Sequence, residues 1–119
     1  MKSFCVLFVH PPYGSNIVRE GLNFSLNIFS YTSNINIFFL GDGIFQIIKN
    51  QYSEKIYCNN NSFNFSFFEK YHVKNIYVCS RSLHERGFFN KDCFLIKVKI
   101  IDINRIRKKI KKCNFILRF

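Results

Sequence analysis

The sequence has no tryptophan, one methionine, two prolines and only seven acidic residues, against 18 lysines and arginines. It also has no alanine, whereas Phe, Ile, Asn and Lys together make up about half of the chain. The codons of these four residue types are rich in A and T, so mutational bias accounts for much of this composition. The formal net charge of +11 is compatible with nucleic-acid binding. Drift also fills exposed positions with lysine, and we favour that explanation.

The sequence also lacks a hydrophobic run long enough to cross a membrane. The first apolar run, residues 4–9, is far shorter than the roughly 20 residues that a spanning helix needs. It stops at His10-Pro11-Pro12 and has no small-residue cleavage site, so it does not resemble a secretory signal. We therefore expect a cytoplasmic protein.

Cysteine usage agrees with that expectation. The cysteines are odd in number, scattered, and nowhere spaced as C-x-x-C. This spacing argues against a zinc ribbon or a thioredoxin-like motif and favours a reducing compartment. The residues concerned are Cys5, Cys58, Cys79, Cys93 and Cys113.

What the chain does contain indicates one globular domain over residues 1–119. A hydrophobic content of 48% with 21% charged residues is ordinary for a folded domain. The aromatic content of 18%, with 16 phenylalanines, is high for one small core. We expect some of these rings to lie against a partner chain, because exposed apolar patches mark interaction surfaces.

Short apolar runs alternate with helical periods, which is typical of βαβ units on a parallel sheet. The sequence therefore predicts a three-layer α/β/α domain with a five-stranded parallel sheet, whose strand order it does not reveal. The predicted strands are residues 3–9, 35–40, 76–79, 94–100 and 114–117. Short helices are predicted at 44–48, 63–71 and 80–86, and longer ones carry the stripes Val18, Leu22, Leu26, Phe29 and Ile103, Ile106, Ile110.

Helix-capping residues support these assignments. Ser15 or Asn16 can cap the first long helix and Asp102 the last one. Gly87 stands where a left-handed residue commonly ends a helix. Cations then fill the outer face and last turn of the final helix, where they suit the helix dipole.

In open parallel sheets, reactive groups collect beyond the carboxyl ends of the strands. Cys79 is the sharpest candidate there, because it ends a strand directly before a helix N-terminus. The helix dipole, with Arg81 and Arg86 nearby, would favour the thiolate that persulfide transfer requires. The competing interpretation, a small buried side chain at a strand end, is the one that spacing alone favours.

Other candidates are weaker. Asp42 in the turn Gly41-Asp42-Gly43 could hold a phosphate or metal, but we favour a tight turn in which Asp42 caps the next helix. Cys5 and Cys93 are interpreted as packing residues, and neither Cys58 nor Cys113 has an obvious base. The histidines, His10, His72 and His84, show no metal-ligand pairing.

Four segments in order resemble the TusC family of the DsrE/DsrF-like superfamily. They are Arg19-Glu20-Gly21-Leu22, Phe38-Phe39-Leu40-Gly41-Asp42-Gly43-Ile44-Phe45-Gln46, Val78-Cys79-Ser80-Arg81-Ser82-Leu83-His84-Glu85-Arg86-Gly87 and the terminal Ile116-Leu117-Arg118-Phe119. The similarity runs from the first strand to the last residue. Val18 and Asn23 depart from the family pattern.

The resemblance implies a non-catalytic subunit that assembles with TusB-like and TusD-like chains as a dimer of heterotrimers. Such complexes pass sulfur from a TusA-like carrier towards a TusE-like carrier for 2-thiolation of the tRNA wobble uridine. The family's sulfur-carrying cysteine is attributed to TusD, at the position matching Cys79. The resemblance therefore favours assembly over catalysis, with no cofactor, no membrane and no direct tRNA contact.

Three alternatives to a structural subunit remain open from the sequence. The first is a persulfide-carrying transferase that acts through Cys79. The second is a flavodoxin-like cofactor binder, which the fold class alone suggests. The third is direct tRNA binding by the basic helix of residues 105–112.

Overall fold

The computed structural model describes residues 3–11, 17–32, 34–48, 75–88, 94 and 96–119. Five strands lie in this part of the chain: β1 (Phe4–Phe8), β2 (Ile35–Phe39), β3 (Ile76–Cys79), β4 (Lys99–Ile101) and β5 (Phe115–Arg118). The helices are α1 (Ile17–Phe29), a 3₁₀ helix (Gly41–Gln46), α2 (Ser80–Glu85) and α3 (Ile103–Lys111).

The strands form one parallel sheet in the order β4-β3-β2-β1-β5. This confirms the predicted α/β class with five parallel strands and supplies the strand order. The central strand is β2, with β1 next to it. After β4 the chain crosses back over the sheet, so that β5 pairs with the free side of β1. Phe4 consequently lies in register with Ile35 on one side and Phe115 on the other.

Each face of the sheet is covered by a helix. The helix α1 packs Leu22 and Leu26 against the face that presents Val6, Phe8 and Ile37. The opposite face, which presents Cys5, Phe38, Tyr77 and Cys79, is covered by α3 through Ile103, Ile106 and Ile110. The alternation of side chains along each strand therefore separates two apolar clusters. Of the residues in the two predicted stripes, Leu22, Leu26 and Phe29 belong to the first cluster, and Ile103, Ile106 and Ile110 belong to the second.

The C-terminal residue closes the first of these clusters. The Phe119 carbonyl accepts a hydrogen bond from the Val9 amide at 2.7 Å, and the Phe119 amide donates to the Leu7 carbonyl at 2.7 Å. Its ring lies 6.2 Å from the ring of Phe8 and 5.9 Å from that of Phe24. Two backbone hydrogen bonds to the β1 segment and the contacts of its ring therefore hold the last residue in place.

Two predicted elements have different bounds in the structure. The strand predicted at residues 94–100 is only Lys99–Ile101, while Phe94 makes an isolated antiparallel bridge with Ile48. Phe94 and Ile96 are buried, so their apolar character reflects core packing in an irregular segment. Burial and strand formation give the same apolar signal in a sequence.

The helix predicted at residues 44–48 also differs, because it is a 3₁₀ helix that begins at Gly41. The remaining strand predictions agree to within a residue at either end. The helix predicted at residues 63–71, the caps Ser15 and Asn16, and the side chain of Val18 lie outside the described residues.

Candidate functional site

The carboxyl ends of β1, β2 and β3 bring the predicted candidate loops to one edge of the sheet. The Gly41 amide donates to Ser82 Oγ at 2.9 Å, which joins the turn after β2 to helix α2. On the other side, Gln46 Nε2 donates to the His10 carbonyl at 2.7 Å. Because of these two bonds, the segments that follow three different strands form one continuous polar edge.

Cys79 lies at this edge but faces the interior. It is the last residue of β3 and the N-cap of α2, as the sequence predicted, and its side chain makes no capping hydrogen bond. The thiol is free and 2% exposed. It belongs to the apolar cluster of Cys5, Phe38, Tyr77 and Ile106, against which the half-buried residues Leu40 and Ile101 pack. In this conformation the sulfur is covered by α3 and its neighbours.

The two arginines expected to favour a Cys79 thiolate both have acidic partners. Arg81 Nε lies 3.5 Å from Glu85 Oε1 across one turn of α2, with both side chains well exposed. Arg86 makes the stronger contact: its Nη2 lies 3.1 Å from Asp42 Oδ1, and its Nη1 donates to the Ser82 carbonyl. Arg86 therefore links helix α2 to the 3₁₀ helix.

The predicted capping role of Asp42 is wrong. The 3₁₀ helix begins at Gly41 with Leu40 in the N-cap position, so Asp42 lies within the first turn. From there its carboxylate accepts from Arg86 Nε at 3.1 Å. The sequence could not show this pairing, because the two residues are 44 positions apart and meet only when β2 and β3 pair.

Gly41 and Gly43 allow the turn after β2 to pack closely against neighbouring backbone. Gly41 has a φ of 54°. This is the left-handed region, which glycine adopts freely and which most residues with a Cβ atom avoid. A Cβ atom on Gly43 would overlap the backbone carbonyl of Phe8. These glycines therefore let the 3₁₀ helix lie directly on the end of β1, in agreement with the tight turn that we favoured.

Gln46 is a residue of this edge that the sequence pattern did not single out. It is fully buried, and among the described residues neither its Oε1 nor the buried Nδ1 of His10 has a hydrogen-bond partner. A buried amide usually has partners for both of its polar atoms. A glutamine inside an apolar run, as in Ile44-Phe45-Gln46-Ile47, was the available signal.

Neither a metal site nor a membrane-spanning helix is present in the described part of the chain. No group of three or more His, Cys, Asp or Glu side chains is arranged there to hold a metal ion. No helix in the same ranges has the length and apolarity needed to traverse a bilayer. His84 is exposed on α2, whereas His72 lies outside the described residues.

Cys5 and Cys113, to which the sequence pattern gave no joint role, form a disulfide in the structure. Their Cα atoms are 6.1 Å apart, although 108 residues separate them in sequence. Pairing of β5 with β1 brings them together, and no local spacing could reveal it. Cys58 and Cys93 lie outside the described residues.

Comparison with known proteins gives full-length matches. The model of the DsrE/DsrF-like family matches residues 2–119. Protein TusC of Buchnera aphidicola subsp. Acyrthosiphon pisum (strain Tuc7) is 37% identical over 119 residues, covering all of both chains. The TusC homolog of Aliivibrio fischeri is 34% identical over the same length, again covering both chains completely. The crystal structure of the ychN protein from E. coli superimposes with a TM-score of 0.82 at 16% identity, covering both chains fully. That likeness concerns the fold alone.

Proposed function

Because this chain belongs to the DsrE/DsrF-like family, we propose that it is a non-catalytic subunit of a cytoplasmic sulfur-relay complex. The observation that carries the proposal is the similarity to proteins named TusC over the full length of both chains. The complex would serve 2-thiolation of the wobble uridine of tRNA. Our chain would supply structure to it, and the reacting cysteine would lie on another subunit.

The proposed assembly is a dimer of heterotrimers with TusB-like and TusD-like chains. It would receive sulfur from a TusA-like carrier and deliver it to a TusE-like one. These partners follow from the resemblance to proteins named TusC. No bound cofactor is needed for a subunit of this kind.

The strand β5 offers a surface for such assembly. It is an edge strand, and an edge strand presents backbone groups that can pair with another chain. Ile116 is 52% exposed and Phe115 42% exposed, both on this strand. Tyr31, directly after α1, is 86% exposed. Large apolar side chains at an open sheet edge support a role in protein–protein contact.

The alternative proposal is that Cys79 itself carries persulfide sulfur. Its thiolate would attack the terminal sulfur of a donor persulfide, forming a new S–S bond while the donor cysteine leaves as a thiolate. The location of Cys79 at the end of β3 favours this alternative. Its burial and the apolar cluster around it favour the structural role, because a sulfur donor would have to reach a covered atom.

Complementation with cysteine variants separates the two proposals. The gene is expressed in a bacterium that lacks its own TusC, and 2-thiouridine in tRNA is measured by mass spectrometry of nucleosides. We expect the wild-type chain, Cys79→Ser and Cys79→Ala to restore thiolation alike. Loss of thiolation in both variants, with the complex still assembled, would establish the persulfide alternative instead.

Assembly is measured in parallel by co-expressing the chain with TusB-like and TusD-like subunits. Intact mass of the purified material should correspond to two copies of each chain. Ile116→Glu should weaken the complex by placing a charge on the β5 edge, whereas Asn27→Glu on the exposed side of α1 is the matched control. A well-behaved monomer that ignores both sister chains would rule out the proposed role.

A further inference from the structure

The last part of the chain is rich in positive charge, and its cations on β4, α3 and β5 lie on the α3 side of the sheet. From residue 97 to the C-terminus there are nine cations and one acid. That acid, Asp102, is the N-cap of α3 and accepts a hydrogen bond from the Arg105 amide at 2.8 Å. The cations are Lys97, Lys99, Arg105, Arg107, Lys108, Lys109, Lys111, Lys112 and Arg118.

The helix α3 distributes its share of these cations over all of its outer surface. Ile103, Ile106 and Ile110 form one stripe against the sheet. Successive residues of a helix are rotated by about 100°. The six cations between residues 105 and 112 therefore cover roughly 200° of the helix circumference. Arg105, Arg107, Lys108, Lys111 and Lys112 are exposed, and Lys109 is half-buried.

The sheet extends the basic surface on both sides of the helix. Lys99 of β4 and Lys109 of α3 lie over the Tyr77 ring, with Nζ atoms 5.8 and 4.8 Å from its centroid. Arg118 of β5 is in register with Leu7, which packs on the α3 side. Cations therefore extend from one edge strand, across the helix, to the other edge strand.

Compositional bias alone does not produce this asymmetry. The helix α1 belongs to the same chain and covers the opposite face, yet its exposed positions include one cation and one acid, Arg19 and Glu20, together with Asn23 and Asn27. A drift towards A- and T-rich codons supplies both Asn and Lys to exposed positions. Among the exposed positions described, α3 has four cations and one asparagine, whereas α1 has one cation and two asparagines. Drift alone does not account for this difference between the two helices.

We propose that the α3 face is a docking surface for the phosphate backbone of a double-helical nucleic acid. Closely spaced lysines and arginines gain affinity for phosphates by releasing condensed counterions. An acidic protein would be a poorer fit, because interface cores are depleted in Lys and need apolar or aromatic anchors. The outward side of α3 has none of these, and Ile116, which is exposed on the same side of the sheet, lies on the edge strand β5 and not on the helix.

Backbone contact, and not base stacking, is the recognition mode that this surface allows. Single-stranded binding sites use exposed aromatic rings as stacking platforms. The aromatic ring beneath the cations, Tyr77, is only 6% exposed. The proposal goes beyond the sulfur-relay function and does not depend on it.

Fluorescence anisotropy with the full chain tests the proposal. The probes are a labelled RNA duplex of about 20 base pairs and a DNA duplex of the same sequence, titrated between about 50 and 300 mM KCl. The variant Arg105→Gln/Arg107→Gln removes two charges from the α3 face. The matched control, Arg19→Gln/Arg81→Gln, also removes two positive charges, but from α1 and α2.

We expect binding that weakens steeply with salt. The α3 variant should bind about ten-fold more weakly at low salt and lower the salt slope by about two, since each phosphate contact contributes about one. The control should change affinity less than two-fold. Equal affinities for the two duplexes mean that the backbone charge alone is read, and tighter RNA binding assigns the surface to RNA.

Three results would overturn the proposal. One is the absence of binding to either duplex at low salt. Another is an equal loss of affinity in the control variant, which would show that binding depends on the net charge of the protein and not on the α3 face. The third is binding of poly-L-glutamate with the same α3 dependence when neither duplex binds, which would assign the surface to an acidic protein.

Discussion

At the scale of single residues, Gly43 is where the 3₁₀ helix comes closest to β1. A Cβ atom at this position would overlap the Phe8 carbonyl and crowd the Val9 amide nitrogen. These are backbone atoms of a buried strand end, so they cannot rotate away as a side chain could. The position therefore requires glycine for space, and not for an unusual φ angle.

We predict that Gly43→Ala lowers the free energy of unfolding by about 3 kcal/mol or more, at the upper end of overpacking effects. Gly87→Ala is the control, because Gly87 has a φ of 78° and a Cβ added there would meet no atom within 4 Å. That change costs only backbone strain, about 1–2 kcal/mol. Urea unfolding followed by circular dichroism measures both. A smaller loss for Gly43→Ala than for Gly87→Ala would contradict the packing argument.

At the scale of secondary structure, α3 illustrates how local signals define a helix. Asp102 caps its first turn, an isoleucine stripe packs it on the sheet, and Lys108, Lys109 and Lys111 occupy its last turn. Each feature is readable in the sequence, because each depends on residues three or four positions apart. The sequence predicted the start of this helix correctly for that reason.

We predict that Asp102→Ala destabilises the protein by about 1 kcal/mol, the usual cost of a lost N-cap. The Arg105 amide would lose its acceptor, and its hydrogen exchange should become faster. Asp102→Asn retains a capping oxygen and should preserve most of the stability. If Asn and Ala variants lose the same amount, the charge on Asp102 and not the cap would be responsible.

At the scale of the whole molecule, the Cys5–Cys113 disulfide joins β1 to the segment between α3 and β5. It encloses nearly the entire chain, since its cysteines are 108 residues apart. The bond thus fastens the segment between the last helix and the edge strand to β1. Our sequence-based expectation of cysteines without joint roles is corrected at this pair.

We predict that Cys113→Ser lowers the free energy of unfolding by about 4–5 kcal/mol under oxidising conditions, from the chain-entropy cost of so large a loop. Dithiothreitol should lower the melting temperature of the wild type towards that of the variant and leave the variant unchanged. Peptide mapping without reductant identifies the bond. An equal response of both proteins to reductant would show that this bond does not stabilise the fold.

Sequence alone determined the parallel α/β class, most element bounds and the position of Cys79 at a strand end, because these depend on periodicity and capping among near neighbours. Tertiary structure decided the strand order, the Asp42–Arg86 pair and the joining of Cys5 to Cys113. It also decided the burial of Gln46 and the position of the cations of β4, α3 and β5 on one side of the sheet. These features arise where distant segments pack together, and a one-dimensional pattern does not record which strands become neighbours.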